Sequence, residues 1–184
     1  KRVAQVYPPY HFKPPVWPFS RPTLVLAHLY AILEKAGARH LEAIDLDLEF
    51  DHSGEGVDNF FTKAEELVGE SEPDVICLSC KAAQFPFSTL FSRMYKRSHP
   101  ETKIVMGGWM PTLAPEQTLR LSGCDAVVRG EGERVLPRLI QEIDNEEWSI
   151  EGVSYMLKRG GKEVIHNPNQ RPLSQEELDS LPLP

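Results

Sequence analysis

Short apolar blocks alternate with longer amphipathic segments along most of this chain. Five of the apolar blocks are rich in Val, Ile and Leu and have the length of buried strands. They cover residues 3–6, 41–46, 75–79, 103–106 and 126–128. In the segments between and after them, apolar side chains recur at the three- and four-residue spacing of a helix face. The pattern therefore predicts five strands that alternate with five helices.

The helical segments show where each helix begins and which face it buries. Pro22 favours a first turn, and Gly37 is typical of a helix end. The expected buried residues are Leu26, Leu29, Tyr30 and Leu33 in the first helix, Phe60, Ala64, Leu67 and Val68 in the second, Phe87, Leu90, Phe91 and Met94 in the third, and Leu136, Leu139, Ile140 and Ile143 in the last. A short helix is expected over residues 115–121, and the acidic segment 47–56 is expected to be a loop.

Strict alternation of strand and helix favours a parallel sheet with right-handed crossovers. Five such units most often adopt the flavodoxin-like strand order 2-1-3-4-5. The sequence therefore predicts an α/β, Rossmann-like fold with a five-stranded parallel sheet and helices on both faces.

The C-terminal residues have a different pattern. The apolar segments 153–157 and 163–165 flank Arg159-Gly-Gly-Lys162, which indicates a β-hairpin. Residues 167–184 are polar and rich in proline, as linkers are. We expect an α/β domain over residues 1–147, and a hairpin with a linker over 148–184 that leads to a further domain.

Charge and hydropathy exclude two classes of partner. The net charge of −7 argues against a nucleic-acid surface, which needs clustered Lys and Arg. The longest apolar run, residues 24–33, contains His28 and is shorter than the ~20 residues of a membrane span. No signal peptide is recognisable, and we expect a cytoplasmic location.

The three cysteines, Cys77, Cys80 and Cys124, form no disulfide framework, which suits a reducing compartment. Cys77 and Cys80 have C-x-x-C spacing, but they lie on a predicted strand. Positions three apart on a strand point to opposite faces. We therefore expect core thiols rather than a redox or zinc pair.

In open parallel sheets, ligands bind beyond the carboxyl ends of the strands. The segments expected there carry aromatic and small residues and few fixed charges. A phosphorylation receiver domain needs a cluster of aspartates at the ends of its first and third strands, and Tyr7-Pro8-Pro9 and Ser79-Cys80-Lys81 contain none. Pro8 and Pro9 remove backbone N–H donors that a mononucleotide phosphate would need, which disfavours a flavin site. The composition favours a large, flat, mostly apolar ligand whose tail enters between strands.

Three segments in order carry a family resemblance: Val75-Ile-Cys-Leu-Ser79, Ile104-Val-Met-Gly-Gly108 and Asp125-Ala-Val-Val-Arg-Gly-Glu-Gly-Glu133. Together they resemble the cobalamin-binding domain of class B radical S-adenosylmethionine (SAM) enzymes. The tail from Gly152 to Pro184 resembles the segment that precedes the radical SAM barrel in that family.

The resemblance implies a cobalamin-binding, B12-type module that presents a corrinoid to a downstream barrel of the same polypeptide. The family implies a transferase or cyclase, with methyl transfer as the expected reaction on a small-molecule substrate. SAM and a metal-containing 4Fe-4S cluster would bind to that barrel. The C-x-x-x-C-x-x-C spacing that holds such a cluster is absent from this sequence.

The resemblance also implies which residues contact the cofactor. In the family, a serine motif at the third strand and a glycine pair flank the nucleotide tail, here Ser79-Cys80-Lys81 and Gly107-Gly108. A serine hydroxyl can bond a ring nitrogen, and glycines permit close backbone approach. Trp109 would line the corrin or pack on the missing domain. Gly130-Glu131-Gly-Glu133 starts the last helix, where we expect the two carboxylates to cap the helix and complement its dipole, with direct ligand contact as the alternative.

One family motif is missing. The D-x-H-x-x-G motif supplies a histidine to the lower face of cobalt, and none of the six histidines here has Asp two positions before it. His11 lies in the corresponding loop, beside Tyr10. We expect Tyr10 or another aromatic residue to cover the lower face without a metal ligand, with His11 as the alternative cobalt ligand. The gap leaves a second function open, a flavodoxin-like scaffold domain that has lost the cofactor.

Overall fold

All five predicted strands are present in the computed structural model, each within one residue of its expected bounds. The structure describes residues 1–9, 23–53, 59–157 and 163–183, with the backbone alone for residues 50–53. Two further strands follow in the described C-terminal part. The strands are β1 (Val3–Tyr7), β2 (Leu41–Asp45), β3 (Val75–Ser79), β4 (Lys103–Gly107), β5 (Ala126–Val128), β6 (Val153–Met156) and β7 (Val164–His166).

The first five strands run parallel in the order β2-β1-β3-β4-β5, which confirms the predicted topology. β1 lies between its two successors, with Val3 opposite Leu41 on one side and Val75 on the other. The chain therefore leaves β1 and β3 toward opposite sides of the sheet. Such a reversal of strand order opens a crevice at the carboxyl ends of the strands.

The predicted hairpin is part of the same sheet. β6 pairs antiparallel with β5, and β7 pairs antiparallel with β6, so the sheet of the described residues has seven strands rather than the five expected. Tyr155 lies opposite Ala126, and Val153 is fully buried. The physical reason is that β5 would otherwise leave the N–H and C=O groups of its outer edge without partners. A domain division between residues 147 and 148 stays a prediction.

The helices of the described residues are α1 (Leu24–Lys35), α2 (Leu46–Ser53), α3 (Phe60–Gly69), α4 (Phe85–Ser98), α5 (Trp109–Leu113), α6 (Pro115–Ser122), α7 (Gly132–Gln141) and α8 (Gln175–Asp179), with a short 3-10 helix over Ala82–Gln84. Pro22, expected to open the first helix, lies outside the described residues, and α1 begins after Thr23. None of these helices has both the length and the hydropathy of a membrane-spanning segment.

The prediction of a loop over residues 47–56 is wrong for residues 47–53, because α2 occupies Leu46–Ser53. Asp45 explains the difference. Its Oδ1 accepts the backbone N–H groups of Asp47 and Leu48 at 3.1 and 3.3 Å, which satisfies donors that a helix start leaves unpaired. Acidic residues in the first turn, Asp47 and Glu49, also complement the helix dipole.

Helices cover both faces of the sheet, as predicted, and form two hydrophobic cores. On one face, called the α1–α7 face, strand residues such as Val75 pack with Leu33 of α1 and Leu139 of α7. On the other, the α3–α6 face, Ile76 packs with residues of α3, α4 and α6, including Phe87. Alternate positions along each strand therefore pack against different helices.

The buried face of α4 differs from the expected one. Leu90 and Met94 are 49% and 36% exposed, whereas Phe87, Phe91 and Tyr95 are buried. These three rings follow one another along the helix with centroids 5.6 Å apart, and they fill the core at a spacing of four residues. This aromatic ridge turns the helix so that the neighbouring aliphatic positions face outward.

The cysteines are buried free thiols. Cys77 lies in the core of the α1–α7 face and Cys80 in the opposite core, which confirms that the C-x-x-C pair is split across the sheet. Burial raises the pKa of Cys77 and of Cys124 to about 12 and that of Cys80 to about 11. The thiols therefore stay protonated in the folded chain at neutral pH.

These raised pKa values predict an alkaline loss of stability. The unfolded chain loses thiol protons above about pH 9, while the folded chain keeps them until pH 11 to 12, so the free energy of unfolding falls as pH rises through this window. At pH 10.5 each fully buried thiol contributes a loss of ~2 kcal/mol. Urea denaturation at pH 8 and 10.5 measures the change. Cys124→Ala should show a smaller loss, and an unchanged loss in that variant would contradict the assignment.

Candidate functional site

A cleft of about 560 Å³ opens toward the carboxyl ends of the parallel strands, on the α1–α7 face. Its floor consists of strand residues, and its walls come from the two helices. The floor and wall residues include Gln5, Cys77, Ser79, Val105, Gly107 and Val128 from the sheet, Leu26, His28 and Leu29 from α1, and Glu133 and Leu136 from α7. Most of these side chains are apolar, and the volume suits a small organic ligand or part of a larger one.

Two small residues keep the floor of the cleft open. Ser79 and Gly107 lie opposite one another at the ends of β3 and β4. A Cβ atom on Gly107 would lie 3.8 Å from the carbonyl oxygen of Val128, an ordinary contact distance. The backbone therefore does not require glycine here, and what its absent side chain provides is space. Within the described part of the chain, the Ser79 hydroxyl makes no hydrogen bond.

At position 108, in contrast, the backbone itself requires glycine. Its φ is +97° and its ψ −170°, a conformation that is essentially restricted to glycine. A Cβ atom there would lie 2.7 Å from the carbonyl oxygen of Cys80. The N–H of Cys80 donates to the carbonyl of Gly107 at 2.8 Å, and the N–H of Met110 donates to the carbonyl of Cys80 at 3.3 Å. Contact between the loops after β3 and β4 is thus made by backbone groups and needs glycine.

Further hydrogen bonds join the remaining loops of the rim. The Gly130 N–H donates to Thr112 Oγ1 at 3.0 Å, which links the loop after β5 to α5. The amide of the fully buried Gln84 donates to the Pro8 carbonyl, which links the loop after β1 to the 3-10 helix after β3. The ends of all four strands that border the cleft are therefore connected to one another.

The C-terminal segment closes the rim behind α7. Gln170 Nε2 donates to the carbonyls of Arg129 and Glu131, each at 2.7 Å, and the Leu173 N–H donates to Glu131 Oε2 at 3.0 Å. Burial lowers the pKa of Arg129. This segment was expected to be a linker, but its residues Gln170, Arg171 and Ser180 hydrogen-bond to the α/β core.

A second set of contacts holds α8 in this segment. Arg171 and the backbone N–H of Ser174 hydrogen-bond to Glu177 and hold its pKa at about 2. Ser174 Oγ in turn accepts the Glu177 N–H, which forms a capping box at the start of the helix. The capping box and the ion pair between Arg171 and Glu177 therefore stabilise the N-terminus of α8.

The mouth of the cleft is apolar. Trp109 and Leu113 of α5 are each 73% exposed, and Val25 of α1 is 39% exposed on the facing side. Exposed large apolar side chains grouped around a cleft are typical of a binding surface. Among the described residues, no three His, Cys, Asp or Glu side chains come together as a metal site would need.

The family model for the B12 binding domain matches residues 19–140 of the chain. This chain belongs to the B12-binding domain family. The cleft lies within the matched residues except for its contribution from β1. The match confirms the resemblance to cobalamin-binding domains that the three sequence segments indicated.

Individual relatives also match this B12-binding domain, and in each of them the match covers only part of a longer protein. An uncharacterized methyltransferase of Pyrococcus horikoshii is 32% identical over 127 residues, 67% of this chain and 27% of the relative. The anaerobic magnesium-protoporphyrin IX monomethyl ester cyclase of Rubrivivax gelatinosus is 25% identical over 98% of this chain and 31% of the relative. This chain therefore spans less than a third of these proteins.

A solved structure has the same fold. The cobalamin-dependent SAM radical enzyme OxsB, with aqua-cobalamin and SAM bound, superposes with a TM-score of 0.70 over 93% of this chain and 22% of its own. The sequence identity is 22%, so the likeness extends to the fold alone.

Most residues that the sequence singled out meet at this cleft. Its lining includes Ser79, Lys81, Gly107, Gly108, Trp109, Gly130 and Glu131. Cys80 does not line it, because its side chain is buried in the core of the opposite face. Tyr10 and His11 lie outside the described residues. The role of each as a cofactor contact stays a prediction.

The helix-start interpretation of the acidic residues needs a correction. Neither carboxylate forms a side-chain cap on α7, and Glu131 instead accepts the Leu173 N–H. Glu133 lies in the first turn, where its charge complements the dipole, but its side chain lines the cleft.

Sequence reasoning missed two polar residues of the cleft, Gln5 and His28. Gln5 is 1% exposed, and its amide, oriented to pair both atoms, bonds the Leu26 carbonyl and the Tyr30 N–H at 3.2 Å each. The sequence did contain a signal for both residues, because Gln5 interrupts an apolar strand and His28 interrupts the apolar run 24–33. Burial of such groups needs partners, so they mark positions to inspect.

Gly108→Ala should be markedly destabilising, because a strained backbone conformation and a 2.7 Å contact with Cys80 coincide. We expect the free energy of unfolding to fall by ~3 kcal/mol. Gly123→Ala is the matched control, since Gly123 has φ +66° but no neighbour within 4 Å. That variant should lose ~1 kcal/mol. Urea denaturation of both measures the difference, and an equal loss would contradict the close-approach argument.

Proposed function

We propose that this B12-binding domain holds a cobalamin and presents it to a radical SAM domain within a larger protein. The nucleotide tail would enter the cleft, and the corrin would lie over its mouth. The observation that carries the proposal is an open, apolar cleft on the α1–α7 face, at the carboxyl ends of β3 and β4. When bound, the corrinoid supplies a cobalt centre able to carry a methyl group.

The residues present fit such a ligand. The apolar walls, including Leu26, Leu29 and Leu136, suit a flat heteroaromatic base. The Ser79 hydroxyl has no hydrogen bond within the described residues and is available to a ring nitrogen. Gly107, opposite Ser79, has no side chain, so the space next to the hydroxyl stays open.

The mouth would position the corrin and exclude water from it. Trp109 and Leu113 present apolar surface there, which a planar macrocycle can cover. Their exposure also supports contact with a further domain on the same side. Tyr10 or His11 would face the lower side of the corrin, which stays a prediction because neither belongs to the described residues.

The larger reaction is expected to be methyl transfer. The name of the Pyrococcus relative is that of a methyltransferase, and that of the Rubrivivax relative is a cyclase. Both are more than three times the length of the matched segment. The three cysteines here lack the spacing that holds a 4Fe-4S cluster, so the iron–sulfur cluster, SAM and the small-molecule substrate would belong to other parts of the protein.

Retention of hydroxocobalamin tests the proposal. The purified chain is incubated with hydroxocobalamin and desalted, and its visible spectrum is recorded. We expect corrin absorbance to elute with the protein in a near-equimolar ratio. A colourless protein at micromolar concentration would overturn the proposal and would favour the cofactor-free scaffold domain instead.

Gly107→Leu tests whether the cleft is the site. The added side chain would occupy the floor, and we expect the affinity for hydroxocobalamin to fall at least tenfold. Gly69→Leu is the control, because Gly69 ends α3 away from the cleft and has no neighbour within 4 Å. Thermal unfolding confirms that both variants fold. Equal affinity in the two variants would place the corrinoid elsewhere.

A further inference from the structure

One carboxylate of the cleft lacks a partner that its burial calls for. Glu133 lies in the first turn of α7, and its side chain is 22% exposed. Its Oε2 atom is buried and has no hydrogen-bond partner among the described residues. A buried oxygen that carries negative charge and no hydrogen bond is costly, so its persistence calls for an explanation.

His28 does not supply the missing bond. Its Nε2 lies 3.7 Å from Oε1 of Glu133, which is beyond hydrogen-bond distance, and this contact concerns the other oxygen. His28 and Glu133 face each other from α1 and α7, and both line the cleft. Both side chains therefore lie beside the space that a ligand would fill.

We propose that Glu133 accepts a hydrogen bond from a neutral donor of the bound corrinoid, a hydroxyl or an amide N–H, and so is a specificity-determining residue of the cofactor site. The inference rests on the proposed function and goes beyond it by assigning one acceptor. The negative charge excludes a phosphate from the same position and selects a donor. Apolar neighbours, such as Leu29 and Leu136, strengthen the bond by excluding water.

Two groups of a cobalamin have this chemistry. The ribose of the nucleotide tail carries hydroxyl groups, and the edge of the corrin carries primary amides. Cobinamide retains the amides but lacks the nucleotide, so it separates the two sources. The wild-type chain must first retain hydroxocobalamin, and its failure to do so would count against the proposed function alone.

The variant Glu133→Gln keeps the shape of the side chain and removes its charge. Because a hydrogen bond to a charged acceptor is stronger than one to a neutral acceptor, we expect the dissociation constant for hydroxocobalamin to rise about five- to tenfold. Glu116→Gln makes the same chemical change in the first turn of α6, outside the cleft, and should leave the dissociation constant unchanged. Equilibrium dialysis with both variants gives the ratios.

Dicyanocobinamide identifies the donor. A penalty for Glu133→Gln with hydroxocobalamin alone supports the inference with the ribose hydroxyl as donor. A penalty with both ligands supports it with a corrin amide as donor. Wild-type affinity in Glu133→Gln for both ligands, or tighter binding, would overturn it.

Stability of the ligand-free chain gives a second readout that needs no corrinoid. An acceptor that waits for a ligand costs the empty protein stability, whereas the loss of a first-turn charge removes a favourable dipole interaction from Glu133→Gln and from Glu116→Gln alike. The Tm of ligand-free Glu133→Gln should therefore equal or exceed that of ligand-free Glu116→Gln, by up to about 3 °C. A lower Tm in ligand-free Glu133→Gln than in ligand-free Glu116→Gln would show that the carboxylate has a structural partner besides the helix dipole, and it would overturn the inference.

Discussion

The close backbone approach of Gly108 to Cys80 is the contact on which the cleft depends. It brings the loops after β3 and β4 together without using a side chain of either, and the hydrogen bonds of Cys80 with Gly107 and Met110 then hold them. The side chains that the loops do carry are left for other purposes. Cys80 fills the core below, whereas Ser79 and Trp109 border the cleft above it. The open floor is thus a consequence of how the two strands end, and it adds no strain beyond that of one glycine.

Local pattern was sufficient for the strands and for their order. β3 and β5 have the expected bounds, because a block of Val, Ile and Leu buried on both faces has few other interpretations. For three elements, the local pattern did not predict a property that the structure shows: the existence of α2, the buried face of α4 and the pairing partner of β6. α2 begins where Asp45 accepts backbone N–H groups of its first turn. The buried face of α4 is set by Phe87, Phe91 and Tyr95, which leaves Leu90 and Met94 exposed. β6 pairs with β5, from which α7 separates it in the sequence. In each case, a specific contact outweighs the average tendency of the residues involved.

The site divides in the same way. Small and aromatic residues at strand ends, Ser79, Gly107 and Trp109, could be predicted to share one edge, because parallel topology alone brings them there. His28 and Glu133 could not, since they come from helices far apart in sequence whose packing angle is set by tertiary contacts. Gln5 was visible as a polar residue within an apolar strand, but its partners on α1 were not. Polar residues that conflict with a local apolar pattern are therefore the ones most worth locating in a structure.

The antiparallel pairing of β6 with β5 has a practical consequence for anyone who divides this protein. β5 contributes three residues to the sheet, and its outer edge is shielded by the hairpin, while Gln170 secures the turn that follows it. A recombinant fragment cut after α7 would expose that edge and invite strand-to-strand aggregation between molecules. A fragment chosen for expression should therefore extend through α8, so that it keeps the β6–β7 hairpin on the edge of β5.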